Sequence, residues 1–548
     1  MIAALLLAAA LAQEGKLVEA IEVRVASIDV VVRDRAGNPV TGLTRDDFEL
    51  YENGVPQPIT NLYEVRRATA ADAQSPPEAA AVPLEVRQRR LVLFVDSASL
   101  HPGTKKLVLA AARKFVERMQ PEDQAMLVTW RGAVTIVTPF TGDKTALLGG
   151  VAQLETFGPA GESPATNVGL IKREIQNIIY NIQTSIRPDA DAWPRGYQQA
   201  ITMIERHAQL MTIEQGRMLE ALQRITTNLA GLDGKKALLL VSENLPQRPG
   251  AELFRYAYDQ FEPHMGTNTP LDLQTLTGVM GNDSPQQIED FARKASTDGV
   301  TIYAIDAGVG ENDISAVEMN IGVDMGEAFS RRANTATSLK MMAELTGGVA
   351  ITQTSNFDLA FDTIGHDLDS YYSLGYKPVG EGNIQARKIV VKAKNRAYSV
   401  RSREALTVKS TDDQLSDKVI ANLFTDASAS TWPISVRTGA PRQDGRAYLV
   451  PVEVVMPSTI TLLSQEKDLA GAFTLYFVVG TPDGRTSEVM RRPRDLRFPA
   501  SAESLVRAKP MTFSTAIRVT PGESTLSVAV IDRLSGATGF ARTKIETR

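Results

Sequence analysis

The residues best suited to chemistry lie at the ends of two apolar runs. Asp96-Ser97-Ala98-Ser99 follows Leu91 to Val95, and Glu243-Asn244 follows Lys236 to Ser242. Two carboxylates with loop hydroxyls form a hard-oxygen donor set that could hold a cation weakly. The alternative is that Asp96 caps the following helix while Glu243 is solvated and complements the positive field at the sheet end. Other chemistries find less support. The four histidines, His101, His207, His264 and His366, show no metal spacing and no HExxH. His101 stands in a His-Pro pair ahead of a helix, a turn signal that also places it close to Asp96. With no cysteine, disulfides, zinc–thiolate sites and thiol catalysis are excluded. Gly158-Pro159-Ala160-Gly161 lacks the lysine of a phosphate loop. Asp306 reads as a strand-end cap, and Trp130 and Tyr371-Tyr372 as core or docking aromatics. Arg387-Lys388, Arg401 and Arg403 read as a solvated edge-strand face. No Ser–His–Asp or paired-carboxylate constellation assembles.

The elements that must position Asp96 and Glu243 alternate between strand and helix. Leu91 to Val95 is a continuous apolar run, the mark of a strand buried on both faces. Leu107, Leu109, Ala110, Ala112, Phe115, Val116 and Met119 recur at helical spacing, and Pro121-Glu122-Asp123 ends that helix. Ala125 to Thr129 is a second strand and Val134 to Val137 a short edge strand. Lys144 to Leu154 is a helix, and residues 155–233 form a helical insertion over the carboxyl edge of the sheet. Within the insertion, one amphipathic helix carries Ile171 to Ile182, and Tyr197 to Leu232 supplies one or two more. Lys236 to Ser242 and Val300 to Ile305 continue the sheet. Helices run from Ser284 to Thr297, from Leu339 to Leu345 with a stop at Gly347-Gly348, and from Phe357 to Leu368. Open sheets of this kind take their ligands at the carboxyl ends of the strands, where Asp96 and Glu243 stand.

The chain resembles a bacterial, largely acidobacterial, group of von Willebrand factor type A (VWFA)-related proteins. The resemblance rests on SIDVVVRDRAGNPVTGLTRDDFELYENGVPQPI, LVLFVDSAS, KKALLLVSENLP, VTIYAIDAG and LTGGVAITQTSNFDLAFDTIGHDLDSYYSLGYKP, in that order, and covers roughly residues 20–405. It implies an α/β fold with a doubly wound, mostly parallel sheet. It also implies a Mg²⁺ or Mn²⁺ site built from Asp-x-Ser-x-Ser, a later threonine and a second aspartate. Asp96 matches the first position, but Ala98 and Leu100 hold the serine positions, with Ser97 and Ser99 one residue out of step. Thr166 is the best match to the threonine, and Glu243 stands in place of the second aspartate. The resemblance therefore implies a degenerate metal site at Asp96, Ser97, Ser99, Thr166 and Glu243. It implies a protein-binding edge at Asp96, Ser97, Ser99, His101, Glu243 and Asn244.

Around this core the expected organisation is a signal peptide at 1–12, a β-module at 20–66 and a linker at 67–86. A VWFA-like domain at 87–408, a connector at 409–430 and a C-terminal β-sandwich at 431–548 follow. The flanking modules are thus a small N-terminal and a larger C-terminal β-sandwich-like unit. Residues 2–12, IAALLLAAALA, are too few to span a bilayer, and Ala10-Leu11-Ala12 has the form of a cleavage site, although no basic residue precedes it. The expected location is secreted or periplasmic. A formal net charge of −5 gives no reason to expect nucleic acid. The expected function is non-enzymatic recognition of a protein partner, with an envelope scaffold as the alternative.

Overall fold

The chain, analysed as a computed structural model, is described over residues 26–66, 84–157, 164–185, 191–265, 284–308, 325–378, 385–425, 430–465 and 467–547. The expected signal peptide and most of the 67–86 linker lie outside these residues. The first strand, β1 (Ala26–Arg33), buries Ile28, Val30 and Val32 on one face and Val31 on the other. A capping box between Thr44 and Asp47 closes the turn ahead of β2 (Phe48–Glu52). β3 (Val55–Gln57) pairs back across Asn53-Gly54. Both turn residues have positive φ, 50° and 82°, as a type I′ turn demands. β4 (Ile59–Arg66) ends the segment, and a short helix, α1 (Leu84–Arg87), leads into the next unit.

The central unit begins with β5 (Arg89–Asp96), every residue of which is buried. It continues through α2 (Pro102–Glu117), β6 (Gln124–Trp130), β7 (Val134–Thr141), α3 (Lys144–Thr156), α4 (Pro164–Gln183), α5 (Ala192–Ala230) and β8 (Lys235–Ser242). α6 (Ala251–Phe261), α7 (Ser284–Thr297), β9 (Val300–Asp306), α8 (Met325–Thr346), β10 (Ala350–Ile351) and α9 (Phe357–Asp369) complete it. The six strands lie in the order β10-β9-β8-β5-β6-β7. All neighbours are parallel except β7, which runs antiparallel to β6. Helices α2, α3 and α9 cover one face around Leu93, Leu109 and Phe361. Helices α5, α7 and α8 cover the other around Phe94, Leu222 and Phe291. The strand order reverses between β5 and β8, so the crevice of a doubly wound sheet opens where Asp96 and Ser242 end their strands.

The expected insertion is dominated by α5, one unbroken helix of 39 residues. Met218 to Leu229 pack on the sheet as an ordinary covering helix. The helix runs opposite to the strands and passes the carboxyl edge near Glu214, whose charge acts on Asp96. At 1.5 Å per residue, its first half projects about 30 Å beyond that edge. There Ile201 and Ile204 pack with Ile175 and Ile179 of α4 and with Leu253 and Phe261 of α6 in a separate core. The insertion thus shares one helix with the sheet instead of forming a detached cap.

Within the expected 20–66 module, the described residues 26–66 do not form a unit of their own. After α9 ends at Asp369, β11 (Ser370–Tyr376) starts at the next residue and inserts between β1 and β4. β12 (Arg387–Ala393), β13 (Ser399–Ser402) and β14 (Ala405–Leu406) follow, giving two sheets ordered β13-β1-β11-β4 and β14-β12-β2-β3. They face each other across Ile28, Val30, Leu50, Leu374 and Ile389. The four strands before the central unit and the four after it each supply two strands to each sheet, and intercalation gives each set the partners it lacks. Of the residues expected to form a solvated cationic face, Lys388 is exposed but the arginines are not fully so. Arg387 is 7% exposed and paired with Glu52 at 2.5 Å, and Arg401 meets Asp367 at 2.5 Å. Intercalation brings these arginines against carboxylates that sequence proximity does not reveal.

The connector contains α10 (Thr411–Ala421), started by a Ser410–Asp413 capping box. Leu415, Val419 and Leu423 pack on Tyr476, Val478 and Ala529 of the C-terminal unit, while Ala421 joins the core under α5. That unit comprises β15 (Ser435–Thr438), β16 (Arg442–Asp444), β17 (Ala447–Met456), β18 (Leu463–Gln465) and β19 (Asp468–Gly480). β20 (Met490–Pro499), α11 (Glu503–Ala508), β21 (Met511–Val519), β22 (Gly522–Asp532) and β23 (Thr538–Thr547) complete it. Two antiparallel sheets result, one built on β17 and one on β19, sharing a core of Val452, Val454, Leu475, Phe477 and Val528.

Candidate functional site

Asp96 is the last residue of β5 and is 2% exposed. Its Oδ2 accepts the hydroxyls of Ser99 at 2.6 Å and Ser242 at 2.7 Å. Each hydroxyl in turn accepts a backbone N–H from the β8 loop. Glu243 N donates to Ser99 Oγ at 3.1 Å, and Asn244 N donates to Ser242 Oγ at 3.2 Å. One carboxylate therefore stitches the β5 and β8 loops together across the crevice. Burial pushes the Asp96 carboxyl up to about 6, against the opposing pull of the two serine hydroxyls.

Glu243 is half-buried, not fully solvated, and its Oε1 accepts the N–H of His101 at 3.1 Å. Burial, with Asp96 and Asp306 adding repulsion, pushes its carboxyl up to about 8. Asp306, at the end of β9, caps its own strand by accepting Gly308 N at 3.0 Å. The cap of α2 is His101 rather than Asp96, since the Nδ1 of His101 accepts Gly103 N at 3.3 Å.

The structure brings Asp96, Ser99, His101, Glu243 and Asn244 together. Ser97 lies to one side, where its hydroxyl is 2.8 Å from Thr129 Oγ1. Thr166 falls in the first turn of α4, and its side chain is outside the described residues. Ser242 and Thr129 were not anticipated. The signal for Ser242 was a hydroxyl closing an otherwise apolar strand, next to a candidate acid.

A divalent cation of the kind implied by the resemblance needs free oxygen lone pairs converging on one point. The residues present do not fit it. Leu100, at a serine position, is 4% exposed and buried in the core under α2 and α9. Ala98, at the other, packs toward the opposite core. Ser99 and Ser242 direct their hydrogens at Asp96 and receive backbone donors from behind. Among the described residues no group of three His, Asp or Glu side chains is arranged for a metal ion.

Burial also corrects the expected contact edge. Asp96, Ser97 and Ser99 are at most 4% exposed, so they shape the edge from beneath its surface. Their hydroxyl and carboxylate groups are satisfied internally, which is what lets them be buried. The accessible part comprises His101, Glu243 and Asn244, with α5 rising beside them.

No protein-family model and no curated protein matches the sequence. Among solved structures, the chain is similar to a von Willebrand factor type A protein from Catenulispora acidiphila, at 10% identity and a TM-score of 0.23, over 91% of this chain and 73% of that one. It is similar to the vWF domain of a type V pili tip protein from Porphyromonas gingivalis, at 15% identity and a TM-score of 0.24, over 51% of this chain and 94% of that one. It is also similar to an aerotolerance-related membrane protein from Bacteroides fragilis, at 12% identity and a TM-score of 0.24, over 51% of this chain and 98% of that one. The central unit itself is a doubly wound, mostly parallel sheet with its crevice between β5 and β8. No helix among the described residues is long and apolar enough to cross a membrane.

Proposed function

We propose that this chain is a non-enzymatic, extracytoplasmic binding protein. It recognises a protein partner at the carboxyl edge of its sheet and along the helical projection, without Mg²⁺ or Mn²⁺. The observation that supports this most is the Asp96 hub, in which carboxylate and hydroxyls satisfy one another and fix both loops as a rigid platform. A rigid edge binds without first ordering its loops. Above it, Leu210 and Ile213 stand one turn apart on α5, 59% and 54% exposed, and offer apolar contact area beside the polar edge. The paired sheets on either side are read as β-sandwiches that hold the platform in place.

A scaffold of a cell-envelope assembly is the second reading. It is favoured by α10, which packs on both the central and the C-terminal units and makes a stiff joint between them.

The test is capture of envelope proteins on the purified chain, in parallel with Mg²⁺ and with a chelator. A Leu210→Glu/Ile213→Glu variant and a variant lacking 431–548 are run alongside. The proposal expects a partner retained under both conditions and lost with the α5 variant. Loss on chelation would overturn the metal-free reading. Loss only on removing 431–548 would favour the scaffold.

A further inference from the structure

At the opposite, amino-terminal edge of the central sheet, a polar cleft with about 240 Å³ of free volume separates β8 and β9 from β1 and β11. Three cations line it: Lys235, Lys236 and Arg403. Their partners are few. Lys235 is 3% exposed, lies 3.7 Å from Asp29 Oδ2, and rests 4.0 Å above the Tyr371 ring. Among the described residues, Lys236 Nζ donates to the carbonyls of Ala230 at 3.3 Å and Leu232 at 3.2 Å. Arg403 donates to the carbonyl of Ser27, and its buried Nε has no hydrogen-bond partner among the described residues. The second acid of the cleft, Asp233, acts on Lys236 and also lies 3.8 Å from Lys418.

The cleft is also kept open where two of the cations meet. Gly299 has a φ of +73°, and a Cβ there would sit 3.0 Å from Arg403 Nη1 and 3.6 Å from Lys236 Nζ. Both cationic nitrogens thus lie beside the same glycine, near enough to each other to contact one oxyanion in the cleft. Thr301 stands on the same wall and offers a hydroxyl. Desolvation depresses all three cations, with Lys236 brought down to about 8, so a bound anion would relieve a charge excess the fold carries unaided.

We propose that this cleft is a binding site for a small oxyanion of the phosphate class, held by Lys236 and Arg403 with Lys235 supporting. Asp29 is the group that limits its affinity. The site is remote from the carboxyl edge and bridges the central sheet to the intercalated strands, so occupancy would tighten that joint.

The experiment is calorimetric titration of the full chain with inorganic phosphate, against chloride at matched ionic strength, with the thermal midpoint followed in parallel. One saturable site is expected, with a midpoint that rises with phosphate but not with chloride. Lys236→Gln and Arg403→Gln should each weaken binding about tenfold or more. Asp29→Asn should tighten it several-fold, and because it removes a half-exposed acid it keeps the test open if the cation variants do not fold. Methyl phosphate in place of phosphate distinguishes a free ion from a phosphorylated group, since only a site open to solvent admits the ester. The proposal is overturned if phosphate behaves as chloride does, or if Asp29→Asn leaves its affinity unchanged or lower.

Discussion

Arg33 and Asp367 lie 334 residues apart in sequence and meet at 2.5 Å. Asp367 is 2% exposed, and its other oxygen accepts from Arg401 at 2.5 Å. One buried carboxylate at the end of α9 therefore ties the first strand to the thirteenth. Asp367→Ala leaves two arginines in a poorly solvated pocket without their counter-charge. It is expected to cost about 3–5 kcal/mol in chemical denaturation. Deleting 26–66 should do more, since β11 loses the strands on both its sides, and the remaining chain is expected to aggregate in size-exclusion runs.

Ser242→Ala removes one donor to Asp96 and the acceptor of Asn244 N. A loss of about 1–3 kcal/mol is expected. Combined with Ser99→Ala, the loss should differ from the sum of the single changes, because both hydroxyls serve one carboxylate oxygen. Additive losses would show that the hub is not a single network.

The carboxyl of Glu243 is raised from 4.5 to about 8 in the folded chain, so the folded state holds that proton more tightly than the unfolded chain. Its contribution to stability is complete below about pH 4.5 and is lost as pH rises through about 8. Asp96, raised from 3.8 to about 6, has the same sign over a lower window. Glu243→Gln should match the parent in acid and exceed it above pH 8, by on the order of 1–3 kcal/mol. A variant less stable than the parent at high pH would contradict this.

Mg²⁺ should leave the thermal midpoint where a chelator leaves it, because Ser99 and Ser242 are already committed to Asp96 and the β8 loop. A rise that saturates with Mg²⁺ and disappears in Asp96→Asn would mean that the loops rearrange to take the ion.

The central sheet was legible because buried parallel strands are continuous apolar runs, as at Leu91 to Val95 and Lys236 to Ser242. The helix end at Gly347 was legible because its chemistry is local. The intercalation of β11 between β1 and β4 was not, since Tyr371 to Tyr376 carries no mark of which strands will flank it. For the same reason Arg387, Arg401 and Arg403 read as exposed. At the site, the acid positions were legible from their place after strands. Their burial was not, because it depends on Ser242, a hydroxyl that strand patterning treats as incidental. The single span of α5 was blurred by the change in what its apolar stripe faces, from α4 and α6 to the sheet.

α9 passes into β11 with no residue between Asp369 and Ser370. A shift of α9 by one position would pull β11 one step along both its neighbours. Because side chains alternate across a strand, Tyr372 and Leu374 would swap faces with Tyr371 and Ser373. The helix therefore has no intermediate stops: it is geared to a ratchet whose smallest tooth inverts a whole layer.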